Sequence, residues 1–219
     1  QSADWLNSLA LRATYGITGN APKPGDAASF DILVPLSSPF FPETGLRIST
    51  PGNRKLSWER TATTNLGIDY NINSRITGSL DYYKRKTSDL LGTIPTNVFT
   101  GYSSVRGNLG DLENDGFEIG LNTINIALKD FTWSSQLNMA FNENKITNLR
   151  FITETTTGDV RVDEQFVVGY PAFSLFAFDY AGLDENGDPQ VRLADGTITT
   201  EPNVTTPEDI KHMGTTQPK

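Results

Sequence analysis

The sequence has no cysteine and a single histidine, His212. Without thiols the chain cannot form disulfides, thiolate zinc sites or iron–sulfur ligation, and it has no cysteine nucleophile. One imidazole is also too few for most metal-binding and acid–base arrangements. We therefore predict no cofactor and no enzymatic activity.

Basic residues are scarce as well, since 18 Lys and Arg face 26 Asp and Glu and give a formal net charge of -8. Nucleic-acid binding depends on neutralising phosphates with basic side chains, so we predict no nucleic-acid partner. No stretch of the sequence approaches the roughly 18 consecutive apolar residues of a membrane-spanning helix. A transmembrane barrel stays open, because only every second residue of its strands is apolar.

Alternation of apolar and polar residues predicts long β-strands. The first covers residues 9–18, and a tight turn at 71–75 joins strands over 65–72 and 76–83 into a hairpin. A second hairpin turns at Lys129–Asp130 and returns through residues 131–141, a length of roughly 37 Å. We predict an all-β fold, an antiparallel meander of long strands.

Long connections alternate with these tight turns. Residues 19–57 carry six prolines, and we predict loops there, over 84–114 and after Asn144. The one helical start is Thr206–Pro207, with threonine as cap. Short turns at one end and long loops at the other are typical of outer-membrane barrels, but unequal loops also occur in soluble sandwiches. The pattern alone leaves both a barrel and a soluble β-sandwich binding module, of the carbohydrate-binding or adhesin kind, open.

Several motifs carry a resemblance to one family. Residues 56–70 (LSWERTATTNLGIDY) and 81–91 (DYYKRKTSDLL) resemble signatures of SusC/RagA-type TonB-dependent outer-membrane transporters. Further similar segments follow in the family's order: NLG at 108–110, NDGFE at 114–118, FTW at 131–133, NENKI at 142–146, GYP at 169–171, GLD at 182–184, GDP at 187–189 and MGTTQPK at 213–219.

The resemblance implies a fold, a location and partners. It implies that residues 1–219 are a partial β-barrel domain, a fragment without plug domain or signal peptide, of a large barrel with about 22 strands and long extracellular loops. The implied function is TonB-energised import of an oligosaccharide or other large nutrient across the bacterial outer membrane. The implied partners are TonB, a SusD-like surface lipoprotein, the nutrient and outer-membrane lipid.

The barrel interpretation gives each strand face a role, with polar faces toward a wet lumen and apolar faces toward lipid. The predicted lipid-facing residues are Leu66, Ile68, Tyr70, Ile76, Leu80, Phe131, Trp133, Leu137, Met139 and Phe141.

Two further groups are candidates for binding. Asp184, Asn186 and Asp188 copy the first three positions of a calcium loop, but Pro189 stands where that loop needs glycine, so a plain turn is the alternative. The aromatic residues Phe166, Tyr170 and Phe173 suit either stacking on a nutrient or packing against barrel loops. His212 is predicted to be a surface residue. The carboxylates at 113–118 and 163–164 are predicted to be solvated rather than a glycosidase pair.

Overall fold

A computed structural model describes residues 5–23, 29–38, 41–151, 157–201 and 205–217. Parts of the predicted long connections, and the final two residues of the last motif, lie outside these ranges. The chain divides into two compact units, Gln1–Glu143 and Asn144–Lys219. No helix in the described ranges is long and apolar enough to span a membrane.

The first unit is built on a five-stranded antiparallel sheet in the order β1-β4-β5-β6-β7. Its strands are β1 Leu6–Asn20, β4 Glu59–Ile72, β5 Ile76–Pro95, β6 Ser104–Ala127 and β7 Thr132–Leu149. β4 and β5 pair without interruption from Ile72↔Ile76 to Arg60↔Ser88. The predicted meander of long strands is confirmed.

Both predicted tight turns lie at one end of this sheet. Asn73 and Ser74 have φ values of 51° and 53°, and the Arg75 N–H donates to the Ile72 carbonyl at 3.0 Å. Two consecutive positive φ values characterise the type I′ turn, whose twist matches that of the flanking strands. At the second turn the Leu128 N–H donates to the Phe131 carbonyl at 2.8 Å.

The predicted loop over residues 84–114 is wrong. β5 and β6 stay paired as far as Pro95↔Ser104, with register shifts between Thr87 and Leu90 and between Leu90 and Leu91. Only residues 96–103 connect them, including a 3-10 turn at Val98–Thr100. This long hairpin was missed because apolar alternation stops at Lys84 although backbone pairing continues.

The long connection between β1 and β4 is not a plain loop either. It contains a hairpin of β2 (Ile32–Ser38) and β3 (Phe41–Thr50), which forms a separate two-stranded sheet. Pro35 lies in β2 opposite Leu46. A proline is tolerated in a strand that has a free edge, which explains why the proline-rich segment still forms a hairpin.

Three of the family-like motifs meet at one junction in the first unit. Asn108, which is 4% exposed, accepts a hydrogen bond from the Ser57 N–H at 2.8 Å and donates to the carbonyls of Ser57 (3.0 Å) and Asp89 (2.7 Å). The Glu59 carboxylate accepts from the Leu91 N–H at 3.1 Å. These side chains form hydrogen bonds with backbone groups where strand pairing becomes irregular. The motif residues therefore stabilise this part of the sheet.

The second unit has a four-stranded sheet in the order β10-β9-β8-β11. Its elements are α1 Gly158–Asp163, β8 Ser174–Leu183, β9 Pro189–Arg192, β10 Ile198–Thr199 and β11 Ile210–Thr215. The predicted helical start is confirmed as a 3-10 turn at Pro207–Asp209 with a capping box on Thr206. Helix α1 was not predicted, and its six residues are too few to show a helical period.

Asp209 ties this small unit together. Its carboxylate accepts the N–H of Ala194 at 2.6 Å and the N–H of Thr206 at 2.7 Å. These backbone donors lower the pKa of Asp209, with the Ala194 N–H as the largest cause. A buried carboxylate with several donors stays ionised and holds the β9–β10 turn to the start of β11.

Candidate functional site: a two-faced strand wall and a loop aromatic cluster

One face of the five-stranded sheet is apolar across neighbouring strands. In register, Leu11 lies opposite Ile68, Ile68 opposite Leu80 and Leu80 opposite Ile119. Cross-strand neighbours point to the same side of a sheet, so these residues form a continuous apolar row. Five of the predicted lipid-facing residues share this face: Leu66, Ile68, Tyr70, Ile76 and Leu80.

The other five predicted lipid-facing residues lie on β7 or just before it. A polar contact on the opposite face of the sheet shows which face they occupy. Tyr83, which points to the opposite face, donates from its hydroxyl to Asn142 Oδ1 at 2.9 Å. Alternation from Asn142 then places Phe141, Met139 and Leu137 on the apolar face. Trp133 and Phe131 follow the same alternation, and they are 54% and 56% exposed. The apolar face is therefore extensive and largely exposed.

The other face is polar and carries a three-stranded ion pair. The Arg12 guanidinium binds Asp69 at 2.6 Å and Asp81 at 3.1 Å, so β1 reaches across β4 to β5. Gly67 lies beneath, where a Cβ would stand 2.5 Å from an Asp81 oxygen and 2.9 Å from Arg12 Cζ. Glycine at this position therefore makes room for the bridge.

Glycines also make room for tyrosines that cross between strands. A Cβ on Gly78 would lie 2.5 Å from the Tyr70 hydroxyl, and one on Gly116 would lie 2.5 Å from the Tyr83 hydroxyl. Tyr70 covers Gly78 on the apolar face, and Tyr83 covers Gly116 on the polar face. Rings lying over glycine restore the contact that a strand glycine lacks.

Charged residues follow directly where the apolar face ends. On β5 and β6, Tyr82 pairs with Phe117, and the next outward pair is Lys84 with Asp115. Lys84 Nζ and Lys86 Nζ lie 3.0 Å and 2.9 Å from the two oxygens of Glu113. The sheet therefore passes from apolar to ionic within one residue pair.

The candidate aromatic residues of the second unit form two ring contacts. Phe166 meets Phe173 edge to face at 5.0 Å, and Tyr170 meets Phe176 at 5.2 Å. Tyr170 and Phe173 are each 39% exposed, whereas Phe176 is 7% exposed. Phe176 is thus a core residue, and the other three rings combine packing with an accessible edge.

Phe173 has an unusual backbone conformation, with φ of 56°. The Thr216 N–H donates to the Phe173 carbonyl at 3.1 Å, and the Ser174 N–H donates to the Gln165 carbonyl at 3.0 Å. A left-handed conformation costs a bulky residue about 1–2 kcal/mol, so these flanking bonds hold a strained turn.

A groove of about 650 Å³ lies beside the Phe166 ring. Its apolar lining residues are Leu149, Phe151, Val160, Phe166, Val167 and Val168. At its edge the Arg161 guanidinium pairs with Glu164 at 2.9 Å. Neither the groove nor the Arg12 bridge was predicted, because both depend on residues brought together from separate segments.

The calcium candidates form a turn. Asp184 Oδ1 accepts the N–H groups of Asn186 and Asp188, each at 2.8 Å, and the bond from Asp188 is the main reason that the pKa of Asp184 is lowered. Gly187 completes the turn with φ of 88°. Among the described residues no group of three or more His, Asp or Glu side chains could hold a metal ion.

His212 is exposed, as predicted. One ring nitrogen lies 3.2 Å from the Ser174 hydroxyl, and the ring contacts Tyr170 and Phe176. Ser174 is 2% exposed, so its hydroxyl is not accessible as a nucleophile. Two of the carboxylates considered for a glycosidase pair, Glu113 and Glu164, are engaged in ion pairs with basic side chains.

A family model described as "TonB dependent receptor-like, beta-barrel" matches residues 2–206. The chain belongs to the TonB-dependent receptor β-barrel family. This membership confirms the resemblance of the motifs and overturns the β-sandwich alternative. Members of this family are receptors and transporters rather than enzymes, and this TonB-dependent receptor segment is an outer-membrane protein.

Individual relatives agree with the family. The TonB-dependent receptor SusC of Bacteroides thetaiotaomicron is 35% identical over 202 residues, which cover 84% of this chain and 20% of that protein. The TonB-dependent receptor P39 of Formosa agariphila is 34% identical over 187 residues, covering 82% and 18%. The chain thus spans about a fifth of the length of these relatives.

Solved structures share the fold. The RagAB peptide importer in its closed-closed state matches with a TM-score of 0.77 and 27% identity, covering 97% of this chain and 24% of that one. A structure of the RagAB peptide transporter matches with a TM-score of 0.79 and 26% identity, covering 97% and 23%.

Proposed function

We propose that this chain supplies part of the barrel wall of a TonB-energised importer that takes up an oligosaccharide, a peptide or another large nutrient. The observation that carries the proposal is the two-faced sheet, in which an exposed apolar row and an ionic polar row run in register across the strands. The apolar face contacts lipid and the polar face lines the interior. On this assignment all ten predicted lipid-facing residues meet the acyl chains.

The turns indicate which end of the strands faces the periplasm and which faces the exterior. In outer-membrane barrels short turns face the periplasm and long connections face the exterior. The Asn73–Ser74 turn then lies in the periplasm, and the tip of the β5–β6 hairpin and the connection that follows Asn144 lie outside the cell. A surface lipoprotein of the SusD type meets the barrel on this outer side.

Cargo contact falls to the second unit, where Phe166, Tyr170 and Phe173 offer accessible ring edges. Aromatic rings stack on the apolar faces of sugars and pack equally on apolar peptide side chains. The similarity to RagAB, a peptide importer, supports a peptide cargo, and an oligosaccharide cargo rests on the resemblance of the motifs.

A paired substitution in the full-length transporter tests the wall. Leu80 lies mid-band on the apolar face, and Ser79 is its neighbour on the polar face, opposite Asp69. We expect Leu80→Lys to destabilise the assembled barrel by about 2–4 kcal/mol, and Ser79→Lys to be tolerated beside the Asp69 carboxylate. The readout is the fraction of transporter in the outer membrane that stays folded in cold SDS.

Uptake in the same cells tests the transport role. Cells with the wild-type or the Ser79→Lys protein should accumulate a labelled oligosaccharide or peptide, and accumulation should stop when TonB is removed. Equal folding and uptake for both lysine variants would contradict the assignment of the faces. Uptake that persists without TonB would contradict the energised importer.

A further inference from the structure

We propose that the outward surface of β4, β5 and β6 binds a phosphate-bearing lipid of the outer leaflet. Its acyl chain would lie in an apolar depression, and its phosphate would lie on Arg60, Lys84 and Lys86. The inference rests on the proposed function above, because it takes the apolar face as lipid-facing and the loop end as exterior.

The acyl part of the site is a depression of about 510 Å³ on the apolar face. Its lining includes Leu11, Ala13, Leu66, Ile68, Leu80 and Phe117. Ala13 stands opposite Leu66 in the register, so a short side chain borders long ones and leaves a hollow. A hollow with walls of this kind suits a hydrocarbon chain better than any polar ligand.

The upper limit of the depression lies at the membrane interface. Tyr82 lines the depression and pairs with Phe117, and aromatic residues of this kind form the girdles of outer-membrane barrels. The next residue of this face along β5, toward the loop end, is Lys84, which lies opposite Asp115. The ionic residues therefore begin at the height where lipid headgroups begin.

The headgroup part is a cluster of cations. Glu113 binds the ammonium groups of Lys84 and Lys86 through its two oxygens and holds them side by side, while the two lysine side chains remain 39% and 63% exposed. Arg60 lies on the same face of β4, in the next pair of that face beyond the Ala62–Lys86 pair. The carboxylates of Asp115 and Glu113 lie opposite Lys84 and Lys86, and Asp111, the next residue of this face on β6, accepts the Asp89 N–H at 3.1 Å.

Both parts share one face, and this favours a lipid over a soluble anion. A free phosphate would meet only exposed side chains, whereas a lipid phosphate is delivered to them by an acyl chain in the adjoining depression. Phosphate oxygens accept charge-assisted hydrogen bonds from ammonium and guanidinium groups. Each basic residue near a membrane surface strengthens the attraction of anionic lipid several-fold.

The chain provides a matched control for charge. Arg85 lies between Lys84 and Lys86 but points to the polar face, with its guanidinium carbon 4.8 Å from the Tyr83 ring centre. Arg85→Gln removes the same charge from the same strand on the opposite side. Glu113→Gln does the reverse, since it frees both lysines from their shared carboxylate.

The experiment purifies the full-length transporter from outer membranes in mild detergent and measures retained phosphate-bearing and zwitterionic lipids by native mass spectrometry. We expect Lys86→Gln to lower phosphate-lipid retention about fivefold, and Arg60→Gln with Lys86→Gln to lower it further. Glu113→Gln should raise retention, and Arg85→Gln should leave it unchanged.

Several outcomes would overturn the site. One is retention unaffected by Lys86→Gln, and another is an equal loss with Arg85→Gln. A loss with Glu113→Gln would show that the ion pairs matter for packing alone. Displacement of the lipid by inorganic phosphate would assign the cations to a soluble anion. A wild-type protein that is not assembled in the outer membrane would instead overturn the proposed function, which separates the two failures.

Discussion

At the scale of single residues, Phe173 combines backbone strain with an exposed ring. Its φ of 56° suits glycine far better than any residue with a Cβ. The ring gains an edge-to-face contact with Phe166, yet 39% of the residue stays exposed. Because strained backbone is concentrated at functional sites, this combination supports the proposed cargo contact of Phe173.

Alanine is usually a more stable replacement than glycine, and we expect the reverse at Phe173. Phe173→Gly should leave the turn more stable than Phe173→Ala by about 1 kcal/mol, because only glycine adopts a left-handed conformation without cost. Hydrogen exchange of the Ser174 N–H in the full-length protein measures the difference. If alanine protects this N–H as well as glycine, the left-handed conformation is not the dominant one.

The same two variants separate strain from binding. Both lack the ring, so both should lose cargo affinity to the same extent if Phe173 contacts cargo. Cargo affinity that follows turn stability instead would make the ring a packing residue.

At the scale of elements, the sheet depends on glycines that lie under tyrosine rings. A Cβ on Gly116 would come within 2.5 Å of Tyr83 and 2.7 Å of the Phe141 carbonyl oxygen, whereas a Cβ on Gly16 would meet nothing within 4 Å. The two glycines belong to the same sheet but differ in what lies above them.

Gly116→Ala should therefore destabilise the barrel by about 1–3 kcal/mol through overpacking, and Gly16→Ala should be neutral or slightly stabilising. Urea unfolding of the full-length transporter in detergent micelles or vesicles measures both. Equal effects of the two alanines would mean that Tyr83 moves aside without cost.

Sequence reasoning worked for elements wherever one face of a strand is apolar and the other is polar. Residues 9–17 and 131–141 alternate in this way, and both tight turns were found between them. From Lys84 to Asp89 polar residues occupy both faces, so alternation disappears although Lys84 still pairs with Asp115 and Pro95 with Ser104. Strand pairing needs backbone hydrogen bonds, not an apolar face, and periodicity cannot detect it there.

Sequence reasoning had a similar limit at the candidate sites. The ten predicted lipid-facing residues follow from phase alone, because each is defined by its own strand. The Arg12 bridge needs the register between β1 and β4, which are joined by a long connection with no turn rule. The hairpin turn at Asn73–Ser74 does imply that Gly67 lies opposite Asp81. This pairing was the feature of the sequence that indicated space for a side chain at the position of the Arg12 bridge.

At the scale of the whole molecule, the two ends of the wall predict opposite accessibility. Phe99, at the tip of the β5–β6 hairpin, is 96% exposed, and the Asn73–Ser74 turn lies at the other end of β5. A peptide tag inserted after Phe99 of the full-length transporter should be labelled by antibody on intact cells. The same tag inserted after Asn73 should be labelled only after the outer membrane is opened, and labelling in the reverse order would invert the wall.

The unbroken register of β4 with β5 has a consequence for how such a wall can change in length. Because inward and outward residues alternate strictly, deleting one residue within Glu59–Ile72 would exchange the faces of everything beyond it. Deleting two residues keeps the phase and shortens the wall on one strand only. Length variation among descendants of this sequence should therefore be even-numbered inside the strands and unrestricted in the exterior connections.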